Sequence, residues 1–229
     1  MKTTDLEKNL GVNFKNSKLL EQALTHRSYL NEHPDFTGGH NERLEFLGDA
    51  VLEIVITEFL YNAYPDTPEG DLTNWRASLV NAKMLYQVAA ELGVEDNLRL
   101  SKGEAKDKNT KARQYILANA MEAIIGAMYL DQGLEISRRF VIAHLIPKLE
   151  YILSNELYLD PKSKFQELAQ EKEGVTPIYK TLSEEGPDHE KVFTVGLYLN
   201  EELVATGVGL SKQEAQVKAA ELGLQNKGW

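Results

Sequence analysis

The chain predicts two folds in succession. An all-α domain spans residues 1–153 and an α+β domain of α-β-β-β-α order spans residues 162–229, with a linker at 154–161. Apolar residues recur at helical spacing from the start to about residue 153. After NELYLDPKS (155–163) the pattern changes to short β-rich runs bounded by turn residues. Breaker-rich stretches, HPDFTGGH (33–40), YPDTPEGD (64–71) and SKGEAKDKNT (101–110), divide the first part into separate helices.

Taken in order, LEQALTH (20–26), residues 41–60, LTNWRASLVNAKMLYQVAAEL (72–92) and ARQYILANAMEAIIGAMYLDQG (112–133) each carry an apolar face. EISRRFVIAHLIPKLEYIL (135–153) adds a helix that Pro147 is expected to interrupt. The polar 101–110 stretch reads as a mobile connection. In the second part SKFQELAQEK reads as a short helix, and IYKTLSEE, KVFTVGLYLN and LVATGVGL read as strands with turns at EEGPDHE and NEE. Ser211 then opens an Ala-rich helix, with Ser211 and Glu214 in capping-box spacing. No internal repeat is visible.

Composition narrows the function. Hydrophobic residues at 42% and charged residues at 26% give an ordinary globular balance over 229 residues. No apolar run reaches membrane-spanning length, and MKTTDLEKNL lacks the apolar stretch of a secretory signal. The absence of cysteine excludes disulfides, thiolate metal sites and a cysteine nucleophile. A cytoplasmic protein is expected, with no membrane partner. The net charge of −10 weighs against nucleic acid unless local cations or a bound divalent ion offset it.

NERLEFLGDAVLE (41–53) is the anomalous stretch. At about 100° per residue, Glu42, Glu45, Asp49 and Glu53 fall within a sector of roughly 80° on an otherwise apolar helix. Like charges at this spacing repel, and apolar surroundings strip their hydration. A second apolar helix, YILANAMEAIIGAMYL (115–130), carries Asn119 and Glu122 three residues apart. One reading is a solvated acidic face. The other faces the two helices toward each other, so that Glu45, Asp49, Asn119 and Glu122 offer oxygen ligands to a hard cation, Mg²⁺ or Mn²⁺. His26, His33, His40 and His144 show no metal-ligand spacing, and Trp75 reads as core or groove lining.

NERLEFLGDAVLE resembles the signature of ribonuclease III. ALTHRSYLN (23–31), EGDLTNWRASLVN (69–81), SKGE (101–104) and ILANAMEAIIGAMYLD (116–131) resemble further blocks of that family in the same order. Residues 162–229 resemble the double-stranded-RNA-binding domain that follows the nuclease domain in bacterial members. The resemblance implies an endoribonuclease that cleaves double-stranded RNA by Mg²⁺-dependent phosphodiester hydrolysis, with Mn²⁺ substituting. Products with 5′-phosphate, 3′-hydroxyl and short 3′ overhangs would follow, in the processing of ribosomal RNA and other transcripts.

The same resemblance implies that Glu45, Asp49 and Glu122 bind metal, with Asp49 and Glu122 catalytic and Glu42 a supporting acid. It implies a homodimer in which Phe46 enters a socket on the partner. Gln166 and Glu167 would meet one RNA minor groove, Gly186-Pro187-Asp188-His189 the next, and Lys212 the phosphates between. This chain departs from the family at position 119, where Asn stands for Asp. Asn119 keeps a ligating oxygen but gives up a charge, which fits either a natural neutral ligand or a change that slows cleavage. The alternative function is therefore a catalytically weak or silent RNA-binding dimer. From residue 160 onward there are 8 Lys, no Arg and 12 acids, a net −4, which predicts weak phosphate binding.

Overall fold

The computed structural model describes residues 3–108, 110–187 and 191–229. The chain forms two compact units that meet in sequence at Tyr158 and Leu159. The first contains α1 (Thr3–Leu10), α2 (Ser17–Ala23), α3 (Arg27–Glu32), α4 (Glu42–Ala63), α5 (Glu69–Val80), α6 (Ala82–Glu91), α7 (Lys102–Lys106), α8 (Lys111–Gln132) and α9 (Leu134–Ser154). The second contains α10 (Pro161–Glu173), β1 (Ile178–Glu185), β2 (Val192–Leu199), β3 (Glu202–Gly209) and α11 (Lys212–Lys227).

In the first unit α4 and α8 form the centre of the bundle. Leu52, Val55, Ile56 and Leu60 of α4 bury against Leu117, Met121, Ile124 and Ile125 of α8. Leu6 and Leu20 close this core from the start of the chain, and Leu79, Leu85 and Leu149 close it from α5, α6 and α9. Trp75 stands half-buried with its ring edge-on to Tyr64 at 5.0 Å and to Tyr158 at 6.0 Å, so it belongs to packing.

Three expectations for this unit change. Residues 72–92 form two helices instead of one, because Asn81 takes an extended backbone and caps α6 by accepting from the Met84 N–H at 2.9 Å. α9 runs through Pro147 instead of breaking there. Proline costs α9 one backbone hydrogen bond, but Val141, Leu145, Leu149 and Ile152 anchor the helix on both sides of it. The 101–110 stretch is not simply loose: Ser101 accepts from the Glu104 N–H at 3.3 Å and caps the short α7.

In the second unit an antiparallel sheet of order β1-β2-β3 is covered on one face by α10 and α11. Phe165 and Ala169 of α10 meet Leu197 and Leu199 of β2 and Ala219 and Ala220 of α11. The alanines let α11 lie close to β3. A Cβ on Gly207 would come within 2.1 Å of the Ala215 carbonyl. The expected capping box forms in altered shape: Ser211 accepts from the Glu214 N–H at 3.1 Å, while Glu214 reaches back to the N–H of Leu210 at 3.0 Å. Asp160 caps α10 through the Ser163 N–H at 2.9 Å, with Pro161 in the first turn.

Candidate active site

The start of α4 is fixed by a backbone knot rather than by a side-chain cap. Thr25 and Arg99 form a parallel bridge, with the Arg99 N–H donating to Leu24 at 2.8 Å and the His26 N–H to Arg99 at 3.0 Å. The Asn41 N–H joins them by donating to the Thr25 carbonyl at 2.9 Å, and Asn41 is only 2% exposed. His26, left without a role by the sequence, caps α3 by accepting from the Ser28 N–H. α8 is anchored at its own start by Thr110, which accepts from the Arg113 N–H at 3.1 Å. Arg113 is 4% exposed; it donates to the Glu104 carbonyl and faces Glu95 at 3.8 Å.

Between these anchors α4 and α8 touch backbone to backbone. A Cβ on Gly48 would lie 1.8 Å from the Glu122 carbonyl oxygen, and one on Gly126 would lie 2.2 Å from that of Leu44. Only hydrogen fits at either place. This crossing carries Glu45 and Asp49 up to Asn119 and Glu122.

The acids of α4 then separate into two groups. Glu53 pairs with Arg76 at 2.9 Å, and Arg76 also donates to Thr57 at 3.0 Å. Glu42 faces Arg27 at 3.5 Å and His40 at 3.8 Å. Among the described residues no cationic side chain pairs with Glu45, Asp49 or Glu122. Burial, followed by the charges of Asp49 and Glu45, pushes the Glu122 carboxyl up to about 8. Burial also raises Glu45, with Glu42 and Asp49 adding to it and the Asn119 amide, as a hydrogen-bond donor, working against it.

This is a cluster of acidic side chains and one amide without a cationic partner, offering oxygen donors and neither sulfur nor imidazole. That chemistry fits a hard divalent cation. Among the described residues no three Asp, Glu or His side chains close into a finished cage.

Comparison with known proteins identifies the family. The ribonuclease-III-like family pattern matches residues 16–149, and the double-stranded RNA binding motif matches residues 161–227. The chain belongs to the ribonuclease III family. It is 46% identical over 220 residues to Ribonuclease 3 of Carboxydothermus hydrogenoformans, covering 96% of this chain and 93% of the relative. Ribonuclease 3 of Bdellovibrio bacteriovorus is 43% identical, with 97% and 94% covered. Among solved structures, the nuclease domain of ribonuclease III from Campylobacter jejuni superposes with a TM-score of 0.56 at 37% identity, over 65% of this chain and 97% of that one.

As a ribonuclease III, the chain is an endoribonuclease with an attached double-stranded-RNA-binding module. Gln166 and Glu167 are exposed on α10 and Lys212 is exposed in the first turn of α11. Asp188 and His189 lie outside the described residues. Phe46 is 82% exposed and sits at a cavity of about 600 Å³ whose walls include Leu19, Leu44, Leu47 and Leu130. Among the described residues no helix is long and apolar enough to cross a membrane.

Sequence reasoning missed the glycine contact, although glycine inside an apolar helix was a usable signal. It also missed the Arg76 and Arg27 partners that remove Glu53 and Glu42 from the uncompensated group. No local signal marked those, since the partners lie in other helices or across a turn.

Proposed function

We propose that this ribonuclease III cleaves double-stranded RNA by Mg²⁺-dependent phosphodiester hydrolysis, with Mn²⁺ able to substitute, at a site built from Glu45, Asp49, Asn119 and Glu122. The observation that carries the reading is the selective lack of cationic partners: Glu42 and Glu53 have them, and the acids at the helix crossing do not. Bound Mg²⁺ would supply charge stabilisation at the phosphoryl oxygens and activation of water. Asp49, exposed at the rim, faces incoming substrate. Glu122, deeper, can hold or release a proton near neutral pH at its carboxylate oxygens. Glu42, paired with Arg27, orients the end of the acidic helix without being a ligand.

Cleavage would leave 5′-phosphate and 3′-hydroxyl ends with short 3′ overhangs, in ribosomal and other structured transcripts. The working form is a homodimer in which each Phe46 enters the apolar cavity of its partner. Gln166 and Glu167 would meet one minor groove, with Lys212 and the free N–H groups of α11 at the phosphates.

Asn119 lowers the negative charge at the ion without removing the ligating oxygen. The chain as given therefore cleaves, but at higher Mg²⁺ than Asn119→Asp requires. Cleavage of a labelled duplex across a Mg²⁺ and Mn²⁺ series tests this. The expected result is a half-maximal Mg²⁺ requirement several-fold lower in Asn119→Asp, and loss of at least about 100-fold in rate in Glu122→Gln. Binding without cleavage by the given chain, with cleavage restored in Asn119→Asp, would favour the silent RNA-binding dimer instead.

A further inference from the structure

Lys212, the cation assigned to RNA phosphate, already holds an anion. Its Nζ lies 2.5 Å from Oε1 of Glu184 at the end of β1. Lys191 approaches the other oxygen of the same carboxylate at 3.9 Å. The arrangement follows from the sheet register. Glu184 pairs with Phe193, and Phe193 pairs with Gly209, so the three residues line up across the strands at the end where α11 begins. Gly209 is pressed against the first turn of α11, where a Cβ would come within 2.8 Å of the Glu214 side chain. Lys212 therefore lies over the Phe193 ring, 5.6 Å from its centroid, with Glu184 beside it. Glu214, in the first turn of α11, is engaged elsewhere, by the Leu210 N–H and by Lys218.

We propose that Glu184 is a built-in stand-in for an RNA phosphate, which the duplex must displace from Lys212 and Lys191 when it docks. This rests on the reading that the start of α11 faces phosphates. A carboxylate between two lysines offers the anionic oxygens that a phosphate would offer in its place. The exposed pair is worth little by itself, so displacement is feasible. Its cost falls on RNA affinity: the lysine charge is neutralised before RNA arrives, and the displaced carboxylate then repels the phosphate that replaced it. Glu184 thus weakens the module's hold on substrate and on cleaved product alike, and this favours release.

The test is binding of the full chain, in EDTA to prevent cleavage, to a fluorescein-labelled RNA duplex, read by anisotropy across a NaCl series. Glu184→Gln is expected to tighten binding about 3- to 10-fold at low salt and, by releasing Lys212, to steepen the slope of log K against log salt by about 0.9. Both effects should vanish in Glu184→Gln/Lys212→Gln. If Lys212→Gln alone weakens binding while Glu184→Gln weakens it or leaves it unchanged, Glu184 positions Lys212 and the competition idea is overturned. If Lys212→Gln alone changes nothing, the phosphate-facing reading of α11 fails, and this inference falls with it. Glu184 is exposed on an edge strand, so an unchanged melting temperature in Glu184→Gln serves as the folding control.

Discussion

Glu122 carries the least comfortable charge in the first unit. Its folded carboxyl is raised to about 8 by burial and by Asp49 and Glu45, against 4.5 for the free group. A raised carboxyl binds its proton more tightly in the folded state. The resulting stability is fully present below about pH 4.5 and is lost as pH rises through about 8. In metal-free buffer the melting temperature should fall across that window, by the equivalent of on the order of 1–2 kcal/mol once solvent screening is discounted. Glu122→Gln should flatten that slope. His26 and His144, lowered by burial, act in the opposite sense on the acid side, so the difference between the two chains is the quantity to measure. The sequence made this anomaly legible because acids at helical spacing stood among Leu, Val and Ile. It could not divide them, since Arg76 lies 23 positions beyond Glu53 and only tertiary packing brings the two together.

Among elements, the crossing of α4 and α8 decides the site. Gly48→Ala would drive a methyl into the Glu122 carbonyl, and the helices would have to part. Overpacking of this kind costs about 1–3 kcal/mol, and more where the obstacle is backbone. Activity should fall further than stability, because the parting separates Glu45 and Asp49 from Asn119 and Glu122. Denaturant melts beside cleavage rates would check this; equal losses in both would mean the crossing only supports the fold. Helix periodicity and β-alternation found the long elements, and β1 runs Ile178–Glu185 as the sequence pattern reads. Periodicity overrated Pro147 as a breaker and passed over α7, because flanking burial and a serine cap act against local propensity. The knot of Thr25, Arg99 and Asn41 left no sequence trace, since it is made by main-chain atoms that every residue has.

At the scale of the molecule, a net charge of −10 sits on a chain whose substrate is itself an anion. The structure pairs Glu42 and Glu53 with arginines and gathers Glu45, Asp49 and Glu122, the acids without a cationic partner among the described residues, at the crossing of α4 and α8. The second unit pairs its lysines with its own acids and rings, as at Lys212, Lys218 and Lys227. Association is the other property at this scale. An exposed Phe46 beside an apolar cavity predicts that Phe46→Asp sediments as a single chain, with unchanged far-UV circular dichroism. Loss of a buried aromatic anchor is worth at least about 2 kcal/mol, or roughly 30-fold in dimer affinity. A Phe46→Asp protein that still sediments as two chains would place the anchor elsewhere.

The glycine pair bears on heredity as much as on geometry. The atoms that would obstruct a side chain at 48 or 126 are carbonyl oxygens, present whatever residue occupies the opposing position. No second substitution can therefore shrink the obstacle, as a smaller neighbour does for an overfilled core. Each glycine is a step with no compensating partner, and a randomised library selected for function should return glycine at both positions, however freely the side chains around them are exchanged.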